Sequence, residues 1–430
     1  MLERQRRPER TDGERSGSEG GPDHSSRRRA LELATLVWAG ESIYLLPYAL
    51  RRDYRTTLID VLELPGEAAL GAIYSAFGAL SLVAYLAGGW LADRVSPRVL
   101  LTWSLLVTAG GGGFLATLPS TPAQLYALFG LWSISTILTF WAPLVKVTRA
   151  WGGEAAQGRA FGLLDGGRGL VAAAVASIGL QIFALRGGGA AGLRAVILLY
   201  TAACLIGAFA TWRTIPGEPP RRTSESRVSG GLIEVLKRPR VWLLGGIVFC
   251  AYSAYYGTFY FAGYAEVGHG ADGATGASVS VASIWMRPSV PLLAGLLADR
   301  LRSQAVVVAS FVVLVAAFAS LALLPPDFGG LRLLYAQAAT IAAGAFALRG
   351  VYYALLAEGG LPHELTGAAV GIVAVIGYAP DVITPYAWGR LLDAYPGATG
   401  YQMLFGSLAL TSCAGVVLAL LHRPVPRSDR

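Results

Sequence analysis

The sequence predicts an all-α membrane protein: twelve transmembrane helices in two pseudo-symmetric six-helix bundles. Three observations carry that expectation. The 430-residue chain is 54% apolar and 14% charged, against a charged share of about 25% in soluble domains. Apolar runs long enough to cross a hydrocarbon core, about 20 residues for roughly 30 Å, recur along it twelve times. A charged hairpin, Gly88-Gly89-Trp90-Leu91-Ala92-Asp93-Arg94, returns as Ala294-Gly295-Leu296-Leu297-Ala298-Asp299-Arg300 with five of seven positions identical. Each copy ends one apolar run and precedes the next, once per half. Such a duplicated membrane chain points first to a two-fold secondary transporter.

Taken in order, residues 1–29 hold eight arginines among Glu, Ser, Gly and Pro, the composition of a disordered tail. No short apolar region with a small-residue cleavage site follows, so this is not a signal peptide. The twelve apolar runs are 30–50, 68–92, 97–118, 122–146, 158–185, 193–212, 240–264, 276–298, 304–324, 331–356, 366–392 and 399–421. The one long interior polar stretch, 213–239, reads as a flexible linker. It divides an N-terminal bundle (30–212) from a C-terminal bundle (240–422), and 423–430 is a second tail. A further echo supports the duplication: Gly158-Arg159-Ala160-Phe161-Gly162 opens the fifth run and Gly367-Ala368-Ala369-Val370-Gly371 the eleventh. Small residues at this spacing let helices approach closely. Gly110 through Gly113, inside the third run, reads as a packing or bending site.

Basic clusters at 94–98, 149–159, 213–240, 300–302 and 423–430 fall on the side of the N-terminus; Arg51, Arg52, Arg55, Arg186 and Arg194 are exceptions. The positive-inside rule then puts both termini in the cytoplasm and the chain in the cytoplasmic membrane. This distribution of the +8 net charge argues against a nucleic-acid partner. Cys204, Cys250 and Cys413 lie in apolar runs without metal spacing. His24, His269, His363 and His422 show no ligand spacing either. No Walker A sequence and no nucleophile–base pair stands out, so neither an enzyme nor a cofactor is expected.

Ionisable side chains within membrane spans cost at least about 2.5 kcal/mol each and are kept for pairing or function. The deep set comprises Lys146, Arg168, Arg287 and Arg349 against Glu41, Asp165 and Asp381. With Arg51 the balance is positive, and an excess of guanidinium in a water-filled cavity favours a small anionic substrate held bidentately. Structural pairing is the alternative: Asp165 with Arg168, and Asp381 with Arg287 or Arg349. Glu41, Asp165 and Asp381 are the candidate coupling carboxylates, with protons as a possible partner. Tyr352 and Tyr353 lie between Arg349 and Glu358, either packing together or against a substrate.

The hairpin Gly89-x-Leu91-Ala92-Asp93-Arg94 with Arg98 resembles the signature between the second and third helices of the major facilitator superfamily. That resemblance implies a charge network that breaks and forms as two bundles rock. It assigns gating to Gly89, Asp93, Arg94 and Arg98, and to Asp299 and Arg300 of the diverged second copy. A finer resemblance is to the organophosphate:phosphate antiporter branch. Tyr48 through Tyr54 is similar to that branch's first-helix stretch, whose Arg grips phosphate, and Lys146-x-x-Arg149-x-Trp151 to its fourth-to-fifth helix loop. Arg168 falls where the branch binds substrate with His, and Tyr255 stands where its seventh helix carries a second Arg. Residues 349–358 are similar to uncharacterised bacterial transporters of that neighbourhood. The expectation is a secondary active transporter of a small organic anion, driven by protons or counter-substrate, with Arg168, Lys146, Arg287, Arg349, Arg51, Tyr48 and Tyr255 binding substrate. Multidrug efflux and a non-transporting membrane sensor are the rivals.

Overall fold

The computed structural model describes residues 22–153, 156–217, 235–355 and 366–422. Most of both expected tails and of the linker, together with Glu358 and His363, therefore lies outside the described residues. Among the described residues, ten helices are long and apolar enough to cross a membrane, and two further spans are each built from two shorter helices. In chain order, α1 runs through Pro22–Tyr44, a π-helical turn at Leu45–Ala49, and Leu50–Asp53. A short helix, Arg55–Val61, follows. Then come α2 (Glu67–Ala92), α3 (Pro97–Leu115) and α4 (Pro122–Gly152, with a π-helical turn at Ile134–Leu138). Next are α5 (Gln157–Leu185) and α6 (Gly189–Thr214). The second half comprises α7 (Pro239–His269), α8 (Gly273–Ile284 and Val290–Arg300) and α9 (Ser303–Leu323). It ends with α10 (Gly330–Val351), α11 (Thr366–Gly377 and Pro380–Ala394) and α12 (Ala398–Leu421). The first helix thus begins at Pro22, inside the stretch expected as a tail.

Proline accounts for most of the irregularities. It lacks an N–H and its ring strikes the carbonyl four residues back. Pro47 lies in the π turn of α1, Pro143 just beyond that of α4, Pro288 and Pro291 at the break in α8, and Pro380 at the break in α11. In α8 the freed groups are retied as short turns, Met286 N–H to the Ser283 carbonyl and Arg287 N–H to that of Ile284. At the far end of α7, Gly270 adopts the left-handed conformation (φ 66°) that closes the helix, a backbone state that costs glycine little.

Each half has its own apolar core. One gathers Leu36, Leu105, Trp132, Phe183 and Tyr200, the other Val248, Phe311, Phe318, Phe346's neighbour Leu348, and Phe405. Their outer faces carry exposed apolar side chains such as Val83, Trp103, Phe209 and Leu410, as lipid contact demands. A small patch, Ala172, Ala173, Ile284, Ala342 and Phe346, joins the halves.

The halves meet along two seams. At the first, α2 runs against α11 with almost no clearance. A Cβ on Gly71 would collide with the Pro385 carbonyl, one on Gly78 with the Asp381 carbonyl, and one on Gly389 with the backbone of Glu67 and Ala68. At the second, α5 meets α8: a Cβ on Gly169 would lie 3.0 Å from Arg287 backbone, and Trp285 Nε1 donates to Ser177 Oγ at 3.2 Å. The first α2 contacts lie at the end remote from the repeated hairpins. There Arg55 forms an ion pair with Glu67. Asp393 of α11 accepts from the N–H groups of Glu67 and Ala68, both at 2.9 Å. It thereby caps α2 from the other half of the molecule. The start of α8 is capped from within: Asp272 accepts from Thr275 N–H at 2.7 Å, and that bond holds the Asp272 carboxyl below the usual carboxylate range.

Towards the hairpin end the helices part. The close glycine packing expected at the openings of the fifth and eleventh runs is not found there. A Cβ on Gly158, Gly162 or Gly371 would meet nothing within 4 Å, because the bundles are separated at this end. In α3 the glycine run does pack: Gly111 abuts Trp132 and Gly112 abuts Thr201 and Leu46, while Gly110 and Gly113 face open space.

Candidate functional site

Between the bundles lies a cavity of about 780 Å³ that opens at the hairpin end. Its walls come from helices of both halves, and the irregular turns place its charges. The break in α8 falls at Arg287, and the π turn in α1 carries Tyr48. Six cations line the cavity, Arg52, Lys146, Arg149, Arg168, Arg287 and Arg349, against two carboxylates, Glu41 and Asp93. A ring of tyrosines completes the wall: Tyr44, Tyr48, Tyr85, Tyr252, Tyr255, Tyr353 and Tyr378.

Glu41 is the hub. It is 5% exposed and receives a two-pronged hydrogen bond from Arg287, Nη1 to Oε1 at 2.7 Å and Nη2 to Oε2 at 2.9 Å. This pair crosses from the first half to the second. Arg168 Nε lies 3.3 Å from Oε2 as an ion pair without hydrogen-bond geometry. Arg168 also stands 3.8 Å from Asp165 one turn earlier, and over the rings of Tyr44 and Trp141 at 5.4 and 5.9 Å. The pairing of Asp165 with Arg168 weighed from sequence is therefore present, but Arg168 shares it with a second carboxylate, Glu41.

Arg349 differs. It lies 4.4 Å from the Tyr255 ring centre and 5.8 Å from that of Tyr252. It makes no ion pair among the described residues. Tyr255, on the seventh helix, is its platform. Asp381, which the sequence paired with Arg287 or Arg349, contacts neither. It is buried behind Tyr252, whose hydroxyl donates to its carboxylate at 3.2 Å.

Arg51 is the clearest departure from expectation. It does not line the cavity; the side chain is fully buried in a cage of Tyr74, Tyr256, Phe259 and Tyr260, at 4.5 to 5.9 Å from the ring centres. One nitrogen donates to the Tyr260 hydroxyl at 3.2 Å; Nε and Nη1 have no partner among the described residues. The adjacent Arg52 faces the cavity instead. It is held by Asp53 at 2.6 and 2.7 Å, and Asp53 in turn accepts from Ser280 of α8 at 2.7 Å.

At the cavity mouth, Lys146 donates to Asp93 at 2.9 Å and to the Ala92 carbonyl at 3.2 Å. Gly89 lines the wall there, and Arg149 stands one turn beyond Lys146. Of the other hairpin residues, Arg94 lies over Trp90 at 4.0 Å and Arg98 over Trp212 at 4.2 Å. Asp299 and Arg300 are exposed and make no ion pair among the described residues. The structure therefore gathers Glu41, Arg168, Arg287, Arg349, Tyr48 and Tyr255 at mid-depth and Lys146, Asp93 and Gly89 at the mouth. It keeps Arg51 and Asp381 behind the wall. Sequence reasoning passed over Arg52 and Arg149 as lining groups, and over Asp393 and the tyrosines Tyr44, Tyr85 and Tyr378. Tyr85 and Tyr378 stack at 6.3 Å where α2 and α11 begin to part.

Comparison with known proteins places this architecture. The family model described as Major Facilitator Superfamily matches residues 34–385. The chain is 26% identical to inner membrane protein YihN of Escherichia coli (strain K12) over 90% of this chain and 93% of that protein. It is 24% identical to inner membrane protein YqcE of the same strain over 94% and 97%. Among solved structures, the nucleoside transporter NupG superposes with a TM-score of 0.70 at 15% identity, covering 92% of this chain and 98% of that one. A bacterial homologue of the human lysosomal transporter Spinster, in an inward-facing and occupied conformation, gives 0.67 at 17%, covering 94% and 97%.

Proposed function

Because this chain belongs to the Major Facilitator Superfamily, we propose that it is a secondary active transporter that moves a small organic anion by alternating access. The observation that carries the proposal is the charge of the cavity wall, six cations against two carboxylates. A guanidinium in a partly dehydrated cavity binds carboxylate, sulfonate or phosphate through two parallel hydrogen bonds, and Arg349, without a carboxylate partner among the described residues, is the group such an anion meets. A cavity built for bulky apolar cations would present the opposite sign, so multidrug efflux is not favoured.

The cavity opens at the hairpin end and is sealed at the other. With the basic loops and both termini in the cytoplasm of a cytoplasmic membrane, as the distribution of Lys and Arg supports, this is the inward-open arrangement. Glu41, shared by a guanidinium from each half, is the proposed coupling carboxylate. Rocking that parts α1 from α8 exposes it to protons, and a counter-substrate could use the same route. Gly89, Asp93, Arg94, Arg98, Asp299 and Arg300 are proposed to close the mouth in the opposite state.

The test is uptake by the purified full-length protein in liposomes across sugar phosphates, sulfonates, carboxylates, neutral nucleosides and lipophilic cations. Saturable uptake of at least one anion, lost in Arg349→Gln, is expected. Uptake confined to neutral or cationic solutes would overturn the anion reading, and absence of any flux would favour a sensor. For coupling, dependence on an imposed pH gradient that disappears in Glu41→Gln is expected; indifference of the wild type to a protonophore would point to exchange.

A further inference from the structure

We propose that Glu41 sets the charge of the cargo: it acts as a built-in counter-anion that fills Arg287 and so tunes the cavity to a singly charged organic anion in preference to a doubly charged one. This rests on the anion-transport reading above and adds a specificity-determining residue to it. Among the described residues that line the cavity at mid-depth, each cation but one has a carboxylate within ion-pair distance. Arg287 is satisfied by Glu41 at 2.7 and 2.9 Å. Arg168 is flanked by Glu41 at 3.3 Å and Asp165 at 3.8 Å. Arg349 lies against aromatic faces and has no carboxylate within ion-pair distance among the described residues.

Glu41 is badly suited to being displaced by cargo. It is almost wholly buried and held by both prongs of a guanidinium that crosses the bundle interface. Removing it would strand Arg287 and break a two-pronged contact that links α1 to the break in α8. A cargo with one charge satisfies Arg349 and leaves this pair intact. Among the described residues, a second charge on the cargo finds no other mid-depth guanidinium free of a carboxylate within ion-pair distance and must either stay half-dehydrated or compete with Glu41 or Asp165, both unfavourable. Arg149, the other lining cation without an ion pair among the described residues, stands at the mouth and is solvated there. It can draw anions in without holding them at depth.

The experiment measures binding of matched probes to the purified full-length protein at low ionic strength and pH 8. The pairs are gluconate with glucarate and glucose 6-sulfate with glucose 6-phosphate, each differing by one negative charge on a common body. In the wild type the singly charged member of a bound pair should bind on the order of tenfold more tightly, as one unpaired buried charge requires. Glu41→Gln should reverse or erase that ratio by freeing Arg287, and Glu41→Asp, which keeps the charge, should preserve it. Arg349→Gln should weaken both members of the pair. A wild type that binds the doubly charged member as well or better overturns the proposal while leaving the anion reading standing, as does a ratio unmoved in Glu41→Gln. If Glu41→Gln loses its cooperative thermal transition, the wild-type and Glu41→Asp ratios decide the matter alone. Failure of every anionic probe to bind wild type, with a neutral nucleoside binding, overturns the anion reading and this inference with it.

Discussion

Arg349 keeps its charge against the face of Tyr255 rather than against a carboxylate, and the two residues should therefore be separable by mutation. Cation–π attraction in a dehydrated setting contributes about 1–2 kcal/mol. Tyr255→Leu is expected to weaken anion binding by roughly five- to thirtyfold by letting the guanidinium wander, whereas Tyr255→Phe, which keeps the ring, should stay within about twofold of wild type; titration of a bound anionic probe checks both. The cavity charges were legible in the sequence because an ionisable residue in an apolar run is conspicuous. Arg168, Arg287, Arg349 and Glu41 needed no further signal. Which of two adjacent arginines faces the cavity was not legible. Neighbours on a helix differ by about 100°, and the π turn at Leu45–Ala49 inserts an extra phase shift just before Arg51 and Arg52 that no hydrophobic pattern records. Asp393 was passed over for a different reason: a charge at the end of a span is unremarkable until its partner, the start of α2, is known.

At the scale of elements, the seal opposite the cavity mouth depends on a helix cap lent by one bundle to the other. Gly66 precedes α2 and offers no side-chain oxygen, so Asp393 supplies it. Loss of such a cap costs about 1 kcal/mol, and here the loss falls only on the sealed state. Asp393→Ala should thus shift the population towards opening of this end by about fivefold. Labelling of a cysteine placed at Thr57 on the sealed side checks this: unchanged labelling would mean the cap is ornamental. The glycines of the same seam give a steric counterpart. Gly71→Ala should hold α2 off the Pro385 carbonyl and raise the same labelling, whereas Gly89→Ala, whose Cβ meets nothing in this arrangement but would crowd the closed mouth of the opposite one, should lower it. Twelve crossings were legible from run lengths alone, but the breaks in α8 and α11 were not separated from ordinary spans. Pro288, Pro291 and Pro380 stand in the sequence, but a proline in an apolar run does not by itself tell a break from a kink, because neighbouring groups can satisfy the freed backbone either way.

For the whole molecule, duplication was written openly in the repeated hairpin, and the two-bundle expectation followed from it. Which end stands open was not, since one sequence must support both arrangements with similar free energy and only the three-dimensional packing reveals the one adopted. The solitary guanidinium at mid-depth has a consequence at this scale that concerns voltage. A carrier whose centre holds one unmatched positive charge moves that charge relative to the electric field whenever the barrier shifts from one side of it to the other. A full traverse corresponds to about 2.3 kcal/mol per 100 mV. The empty carrier should then respond to membrane potential, with an interior-negative potential favouring the arrangement in which Arg349 communicates with the cytoplasm. Once a singly charged anion is aboard, the centre is neutral and the loaded step should become indifferent to potential. Charge displacement recorded on a supported membrane should accordingly appear when the empty protein relaxes after a voltage step and vanish at saturating anion. In a polarised cell, the potential would speed the empty return of such a carrier if it exports its anion and slow that return if it imports it.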